Sequence, residues 1–249
     1  MFYQSKVMGG AMIENKICPY CGKEMIKAEN QDNSRSVEHL IPNAVLIKKR
    51  DKSQGDFYAC RKCNTKKSKI DELIGIVTKI QSYDSMLAID SARKLVQKTN
   101  YPSRRYVKMI QSRDIKYKHV EFDMPFSGEE IIEYLIFLGK GLFFKKYNYP
   151  YNKSKHVFIF DVFNKDLHDN IFDEYFSNNN SHPIRDLENN NYTEVISPGE
   201  CLIWSKKGTY YIVFRDVLSF SISIKKKNRK YTRMSDESYE RLITDFNVF

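Results

Sequence analysis

Two Cys-x-x-Cys pairs constrain the fold of this chain more than any other feature of its sequence. Cys18 and Cys21 form the first pair, Cys60 and Cys63 form the second, and 38 residues separate them. Each pair places two thiolates on one tight turn, and two such turns complete the tetrahedron in which structural Zn²⁺ is bound. The spacing exceeds that of an ordinary zinc finger, so we expect a further element between the two halves of the zinc site.

The composition indicates a folded protein with a polyanionic partner. Of the 249 residues, 41% are hydrophobic and 14% aromatic, which is enough for one large domain or two small ones. The formal charge of +10 favours nucleic acid as the partner. Four of the five cysteines lie in tight pairs, which predicts metal binding in the reducing cytoplasm. Cys201 is predicted to be a small buried apolar residue, and neither a signal peptide nor a transmembrane segment is predicted.

The pattern along the chain predicts an α+β protein with two modules. Residues 1–99 are expected to form a compact zinc-bound unit and a helix that begins just after the second cysteine pair and runs into the 80s or 90s. Tyr101-Pro102 breaks the helical pattern, and the basic segment 104–118 predicts a connector or an exposed strand pair within residues 100–124. Residues 125–249 are expected to form a second α+β module that selects a target or receives a signal.

The second module is predicted to begin with a helix capped by Ser127. Gly139 and Gly141 mark a place where this helix packs closely or ends. Four runs rich in Val, Ile, Tyr and Phe predict strands. They span residues 156–162, 201–204, 209–214 and 218–224, with a hairpin turn at 206–208. The asparagine-rich segment 177–192 predicts a long loop, and the basic tail from Lys225 is either a nucleic-acid contact or a solvated terminus.

The element between the cysteine pairs contains Glu38 and His39, whose side chains have complementary chemistry. The dipeptide ends a short apolar run that Pro42 terminates, which places both residues at a strand end. Only at such an end or at a bulge can adjacent side chains act together, because neighbours within a strand point to opposite faces. Histidine, with an unperturbed pKa of about 6.5, is suited to remove a proton from water, and a carboxylate is the ligand that Mg²⁺ prefers.

Asn64 directly follows the last cysteine and has two interpretations. The zinc turn would hold it at the start of the following helix, where its amide oxygen is a neutral metal ligand. Asparagine is also among the best N-cap residues, so helix capping is an equal alternative on local sequence. Only the partnership with Glu38 and His39 favours the ligand.

The ordered combination of these residues resembles the HNH endonuclease motif in its zinc-containing form, a ββα-metal or His-Me finger nuclease. The matching elements are Cys18-x-x-Cys21, Glu38-His39-x-x-Pro42 and Cys60-x-x-Cys63-Asn64-x-x-Lys67. The resemblance covers roughly residues 16–72, under a third of the chain, and implies a β-hairpin and a helix around one divalent ion. It also implies that Glu38 and Asn64 bind a catalytic Mg²⁺ or Mn²⁺, that His39 is the general base, and that the four cysteines bind a structural Zn²⁺.

The chain departs from this family at one position. Members often carry a central asparagine about nine residues before the last one, where it orients the histidine, whereas this chain has Gly55 followed by Asp56. A backbone carbonyl near Gly55 or the Asp56 carboxylate is predicted to hold the His39 ring instead, by accepting its second N–H. Asn43 is a weaker candidate.

Residues 48–69 carry nine lysines and arginines against two acidic residues, a net charge of +7 beside the predicted site. This run predicts a phosphate-binding surface. The residues assigned to nucleic-acid contact are Lys48, Lys49, Arg50, Lys66 and Lys67. Alternatively, the cations at positions 61, 62 and 66 neutralise part of the negative charge of four thiolates around Zn²⁺.

Together these features predict a metal-dependent endonuclease that hydrolyses DNA, with RNA as an alternative substrate for the same chemistry. A restriction, antiviral-defence or mobile-element enzyme would have this combination of features. The alternative from a different class is a non-catalytic zinc-ribbon protein that binds nucleic acid through its basic tail, with Glu38 and His39 as a structural pair.

Overall fold

The fold is α+β, as the sequence predicts. The computed structural model describes residues 12–51, 53, 55–80, 85–97, 101–112, 114–116, 119–121, 125–163, 193–197, 201–206, 208–215 and 217–227. The helices of this part are α1 (Arg61–Ile80), α2 (Ser85–Val96), α3 (Tyr101–Gln111) and α4 (Gly128–Tyr147). The strands are β1 (Arg35–Glu38), β2 (Phe57–Cys60), β3 (Asp114–Lys116), β4 (His119–Glu121), β5 (His156–Phe163), β6 (Thr193–Ser197), β7 (Cys201–Lys206), β8 (Thr209–Phe214) and β9 (Leu218–Lys226).

An antiparallel hairpin and the helix that follows it form the first part of the fold. β1 pairs with β2 so that Glu38 lies opposite Phe57. α1 follows β2 without a connecting residue. Cys63 and Asn64 therefore lie in the first turn of α1, whereas the sequence pattern predicted a helix that begins after the cysteine pair. The predicted continuation into the 80s or 90s consists of a separate helix, α2.

The region between the two predicted modules begins with a helix. α3 begins at Tyr101, where the sequence analysis predicted a break and then a connector or strand pair. A proline in the first turn of a helix costs no hydrogen bond, because its N–H would have no intrahelical partner there, so Pro102 is compatible with a helix start. The expected strand pair is present only as the short antiparallel β3 and β4.

α4 is the helix predicted at the start of the second module. Ser127 is its N-cap, and Ser127 and Glu130 form a reciprocal capping box. The helix continues through Gly139 and Gly141, where close packing was one of the two predicted outcomes. A Cβ on Gly141 would clash with the side chain of Leu40, so the helix approaches the end of β1 closely at this point.

The last five strands form one antiparallel sheet in the order β5-β9-β8-β7-β6. The four predicted strands are all present, and β6 was not predicted. Gly208, with φ of +81°, lies between β7 and β8, as the predicted hairpin turn requires. Cys201 is buried as expected. The predicted loop over 177–192 and the part of the basic tail beyond Lys227 lie outside the described residues.

One continuous hydrophobic core joins the hairpin, α1, α4 and the sheet. It includes Leu40 and Phe57 from the hairpin region, Leu138 from α4 and Phe220 from β9. The first and second predicted modules therefore share a core across α4, and their division at 1–99, 100–124 and 125–249 stays a prediction. Within the described part of the chain, no helix combines the length and apolarity needed to cross a membrane.

The packing of α1 generates a first prediction. A Cβ on Gly75 would lie 2.5 Å from the backbone carbonyl oxygen of Ala44. We expect Gly75→Ala to lower the free energy of unfolding by about 1–3 kcal/mol, because overpacking outweighs a gain of about 1 kcal/mol in helix propensity. Gly139→Ala is the matched control, since the same change in α4 meets the ring of Phe158 at 3.2 Å. Urea unfolding measures the free energy of unfolding of both variants. Equal losses in Gly75→Ala and Gly139→Ala would contradict the close contact at Gly75.

Candidate active site and metal cluster

The four paired cysteines form one compact cluster. Their sulfur atoms all lie within 4.8 Å of one another, and the Sγ atoms of Cys21 and Cys60 are 3.7 Å apart. Zinc–sulfur distances of about 2.3 Å in a tetrahedron place the sulfurs about 3.8 Å apart, so this cluster could hold a zinc ion. The donor set consists of four sulfurs, which suits Zn²⁺ rather than a hard cation.

The local backbone explains why the sulfurs converge. The Gly22 N–H donates to the Cys18 carbonyl at 2.9 Å and closes the first turn. Gly22 has a φ of +73°, which glycine adopts without strain. The Cys60 N–H donates to Cys18 Sγ at 3.4 Å, so the end of β2 contributes to the same cluster. A hydrogen bond from the Cys63 thiol lowers the pKa of Cys18 to about 5, which favours a thiolate within the cluster.

A cleft opens where the end of β1 meets the first turns of α1. Its volume is about 190 Å³. Glu38, His39 and Asn64, the three residues assigned to catalysis from the sequence, all line it. The remaining lining residues include Asp71 and Glu72, so several oxygen donors surround the space. Glu38 is the last residue of β1 and His39 follows it, as expected for adjacent side chains that share a site.

Glu38 is held by two donors from different parts of the fold. The Tyr20 hydroxyl donates to Glu38 Oε1 at 3.0 Å, and Lys67 Nζ lies 3.0 Å from the same oxygen. Tyr20 lies between the two cysteines of the first pair, so the sulfur cluster and the cleft are directly connected. Burial raises the pKa of Glu38 to about 7, although Lys67 opposes the shift.

Lys67 is a fully buried cation between two carboxylates. Besides Glu38, its ammonium donates to both oxygens of Asp71, at 3.0 and 3.1 Å, and to the His39 carbonyl at 3.2 Å. Burial would lower the pKa of Lys67, but Asp71 and then Glu38 outweigh it and keep the pKa above its usual value. Burial raises the pKa of Asp71 to about 6. The cluster therefore retains its ammonium while two carboxylates share it.

The His39 ring is half-buried at the rim of the cleft. Burial, and then the nearby Arg50 guanidinium, lower the pKa of His39, which favours the neutral imidazole at neutral pH. Its Nε2 lies 3.2 Å from the backbone carbonyl of Asp51. A carbonyl can only accept, so this contact requires the tautomer with hydrogen on Nε2 and leaves a lone pair on Nδ1. Neutral His39 is thus in the protonation state that a base requires.

Asn64 connects α1 to β1. Its side-chain N–H group donates to Ser36 Oγ at 2.8 Å and to the Val37 carbonyl at 2.9 Å. Because Asn64 lies inside the first turn of α1, it does not occupy the N-cap position that was the alternative interpretation. These two bonds occupy the amide nitrogen, and Oδ1 remains the ligand atom that Asn64 offers.

Gly55 and Asp56 support the hairpin end without bonding to the His39 ring. A Cβ on Gly55 would lie 2.8 Å from the Glu38 carbonyl oxygen, so a larger residue would push β1 away. Asp56 accepts from the Leu40 N–H at 2.8 Å and pairs with Lys145 at 2.8 Å. Among the described residues, the Asp51 carbonyl accepts the hydrogen bond from the ring. Asn43, the weaker candidate, exchanges hydrogen bonds with the backbone of Arg50 at 3.0 and 3.1 Å.

The residues assigned to nucleic-acid contact have different environments. Lys48 and Lys49 are exposed in the loop that connects β1 to β2. Arg50 donates to the Ile41 carbonyl and pairs with Asp56, so it stabilises its own loop. Lys66 pairs with Glu133 of α4. Lys67 is 0% exposed and belongs to the interior of the site rather than to its basic surface.

Two contributors to the site were not predicted from the sequence. Asp71 was detectable, because Lys67 and Asp71 have the i,i+4 spacing at which side chains on a helix meet. Tyr20 had no such signal, since its contact with Glu38 spans 18 positions and depends on the fold.

Comparisons of the chain with protein-family models, with curated proteins and with solved structures found no match.

The buried cation generates a second prediction. We expect Lys67→Met to lower the free energy of unfolding at pH 7 by about 3–5 kcal/mol, because two buried carboxylates lose their counter-ion. A carboxyl whose folded-state pKa lies above its unfolded value costs stability as the pH rises and regains it on acidification. The loss should therefore shrink between pH 7 and pH 5, since the pKa values of Glu38 and Asp71 are already about 7 and about 6 in the parent.

Lys66→Met is the matched control for this variant. Its ammonium pairs with Glu133 at the surface, where an ion pair contributes about 0–1 kcal/mol. Urea unfolding of both variants from pH 5 to pH 8, without added divalent ions, makes the comparison. Equal losses of unfolding free energy in the two variants would show that Lys67 does not neutralise the buried carboxylates of the site.

Proposed function

We propose that this protein is a metal-dependent endonuclease of the zinc-containing HNH type that hydrolyses DNA phosphodiester bonds. The observation that carries the proposal is the convergence of Glu38, His39 and Asn64 on one cleft, although 26 positions separate Glu38 from Asn64. The hairpin, the helix and the adjacent four-sulfur cluster have the arrangement that the sequence resemblance implies. The exposed lysines beside the cleft and the positive charge of the chain support a nucleic-acid substrate.

The donor set of the cleft fits a hard divalent cation. Glu38 supplies a carboxylate and Asn64 an amide oxygen, which are the ligand types of Mg²⁺ and Mn²⁺. Asp71 and Glu72 add negative charge to the same cleft, and Lys67 supplies one buried ammonium for Glu38 and Asp71 together. Bound at Glu38 and Asn64, such an ion would supply the positive charge that stabilises the phosphate and the leaving oxygen during hydrolysis.

The chain's own residues perform the proton transfer. Neutral His39 accepts a proton from the attacking water at Nδ1, while the Asp51 carbonyl fixes the ring through Nε2–H. Lys67 and Tyr20 hold Glu38, and the two hydrogen bonds of Asn64 to β1 hold its amide plane. Positioning by rigid elements of this kind keeps ligands and base in one fixed geometry.

In the proposed function, zinc at the four cysteines is structural. The sulfur cluster joins the loop before β1 to the start of α1, so a bound ion would fix the hairpin against the helix that carries Asn64. Four protein ligands complete the coordination of Zn²⁺ and leave no position for substrate.

A second candidate function is a non-catalytic zinc-ribbon protein that binds nucleic acid. The observation in its favour is the burial of Glu38, which is 2% exposed and already bonded to Tyr20 and Lys67. In this alternative Glu38 and His39 are a structural pair, the ion pair with Lys67 holds Glu38 in the interior, and no cleavage occurs.

The base assignment generates a third prediction, which separates these candidates. We expect the parent protein to nick supercoiled plasmid DNA with Mg²⁺ or Mn²⁺, and His39→Ala to reduce the rate by about 10²–10⁴-fold, the usual contribution of a general base. His119→Ala, the same change at a histidine of β4, is the control and should keep the parental rate. Parental cleavage by His39→Ala would refute the mechanism, and binding without cleavage by the parent would favour the zinc ribbon.

The structural role of zinc generates a fourth prediction. We expect metal analysis to find about one zinc per chain in the parent, and Cys60→Ser to lose this zinc and the stability of the hairpin. Cys201→Ser is the matched control, because Cys201 is also buried but lies outside the cluster. Metal content and thermal unfolding are measured on both variants. Full zinc occupancy in Cys60→Ser would remove the four-cysteine assignment.

A further inference from the structure

An exposed surface at the end of α4 combines tyrosine rings with lysines. Tyr147 and Tyr149 are 44% and 49% exposed, and their ring centroids lie 5.8 Å apart. Both rings pack against the buried ring of Phe143, at centroid distances of 4.6 and 5.3 Å. The buried ring holds the two tyrosines in place, so a ligand that stacks on them would lose little of its binding energy to ordering the protein.

One lysine lies against the Tyr147 ring, and further lysines lie in the turn before β5 and at the end of β9. Lys146 Nζ lies 5.4 Å from the centroid of the Tyr147 ring. The turn before β5 meets the end of β9, where the Lys227 N–H donates to the Lys155 carbonyl at 2.8 Å. The segments 145–160 and 217–227 contain no acidic residue. We call the following exposed residues the tyrosine–lysine surface: Lys146, Tyr147, Tyr149, Lys153, Lys155, Lys226 and Lys227.

Ion pairs connect the start of the tyrosine–lysine surface to the strand end that carries the candidate site. Lys145, which precedes it on α4, pairs with one oxygen of Asp56 at 2.8 Å. The other oxygen of Asp56 accepts from the N–H of Leu40, the residue after His39. Asp56 also pairs with Arg50, which continues the exposed Lys48-Lys49 segment. One ion-pair network therefore joins the end of α4 to the loop between β1 and β2, which carries His39, Lys48 and Lys49.

We propose that the tyrosine–lysine surface binds an unpaired stretch of DNA beside the bond that is cleaved. This inference rests on the proposed function and specifies its substrate. Exposed aromatic rings stack on bases that are not stacked in a duplex, and lysines contact the phosphates between them. A duplex presents phosphates but not base faces, so it would use the lysines and leave the tyrosines without partners.

The test is direct binding by the full chain, in the His39→Ala background and without divalent ions. Fluorescence anisotropy compares a labelled single-stranded DNA oligonucleotide with the duplex of the same sequence. We expect Tyr147→Ala/Tyr149→Ala to weaken single-strand binding at least about fivefold, since stacking contributes about 1–3 kcal/mol per base. Duplex binding should change little. The matched variant Tyr147→Phe/Tyr149→Phe keeps both rings and should bind the single strand as the parent does.

The lysines are tested by the salt dependence of binding. Lys153→Ala/Lys155→Ala should reduce the slope of log K against log salt by about 1.4, because each lost phosphate contact on a single strand is worth about 0.7. Lys94→Ala, on α2 and paired with Asp90, is the control and should leave the slope unchanged. If Lys153→Ala/Lys155→Ala reduces the slope equally on an RNA strand of the same sequence, this would support the surface and show that it does not distinguish ribose from deoxyribose.

Three results would overturn the inference: unchanged single-strand binding by the double alanine variant, an equal loss on duplex, or the same loss in the phenylalanine variant, which keeps both rings. The binding assay needs no hydrolysis. If the tyrosines are needed for single-strand binding but the parent does not cleave, the surface is kept and the nuclease is refuted. If the parent cleaves but the double alanine variant binds the single strand as before, the nuclease is kept and the surface is refuted.

Discussion

The candidate site depends on the ion pairs that the buried Lys67 ammonium forms with two carboxylates. The hairpin supplies Glu38 and α1 supplies Asp71, and the ammonium lies 3.0 Å from each carboxylate. It also donates to the carbonyl of His39. Because an uncompensated buried charge costs several kcal/mol, the end of β1 cannot move away from α1 without a large penalty. One cation thereby sets the separation between the strand end and the helix that form the cleft.

This cation is sufficient only because other contacts support a very small hairpin. Two strands of four residues are marginally stable by themselves. The sulfur cluster holds one end of the hairpin, and α4 covers its face, where the rings of Phe57 and Phe144 meet at 5.4 Å. Gly141 lets α4 approach Leu40, and Lys145 bonds to Asp56 at the hairpin end. The second half of the chain thus contributes to the geometry of a site whose motif lies in the first.

Features that depend on neighbours in sequence were predictable, and features that depend on the fold were not. The capping box at Ser127, the hairpin turn at Gly208 and the strand end at Glu38 follow from a few adjacent residues. α3 was missed because Pro102 reads as a helix break in sequence but is compatible with a first turn. Lys67 belongs to a strongly basic run, and only the tertiary structure shows that it is buried and that Glu38 is its second partner beside Asp71.

Asp71 gives the site a property that Glu38 and Lys67 alone would lack. A lysine with a single carboxylate partner would become an unpaired buried charge whenever that carboxylate turned to another cation. Here Asp71 holds the same ammonium through both of its oxygens, at 3.0 and 3.1 Å. In the proposed function, Glu38 can therefore share its charge with a divalent ion while Lys67 remains paired. Lys67 then holds Glu38 in position and does not compete with the divalent ion for it. The burial of Glu38 is therefore compatible with catalysis.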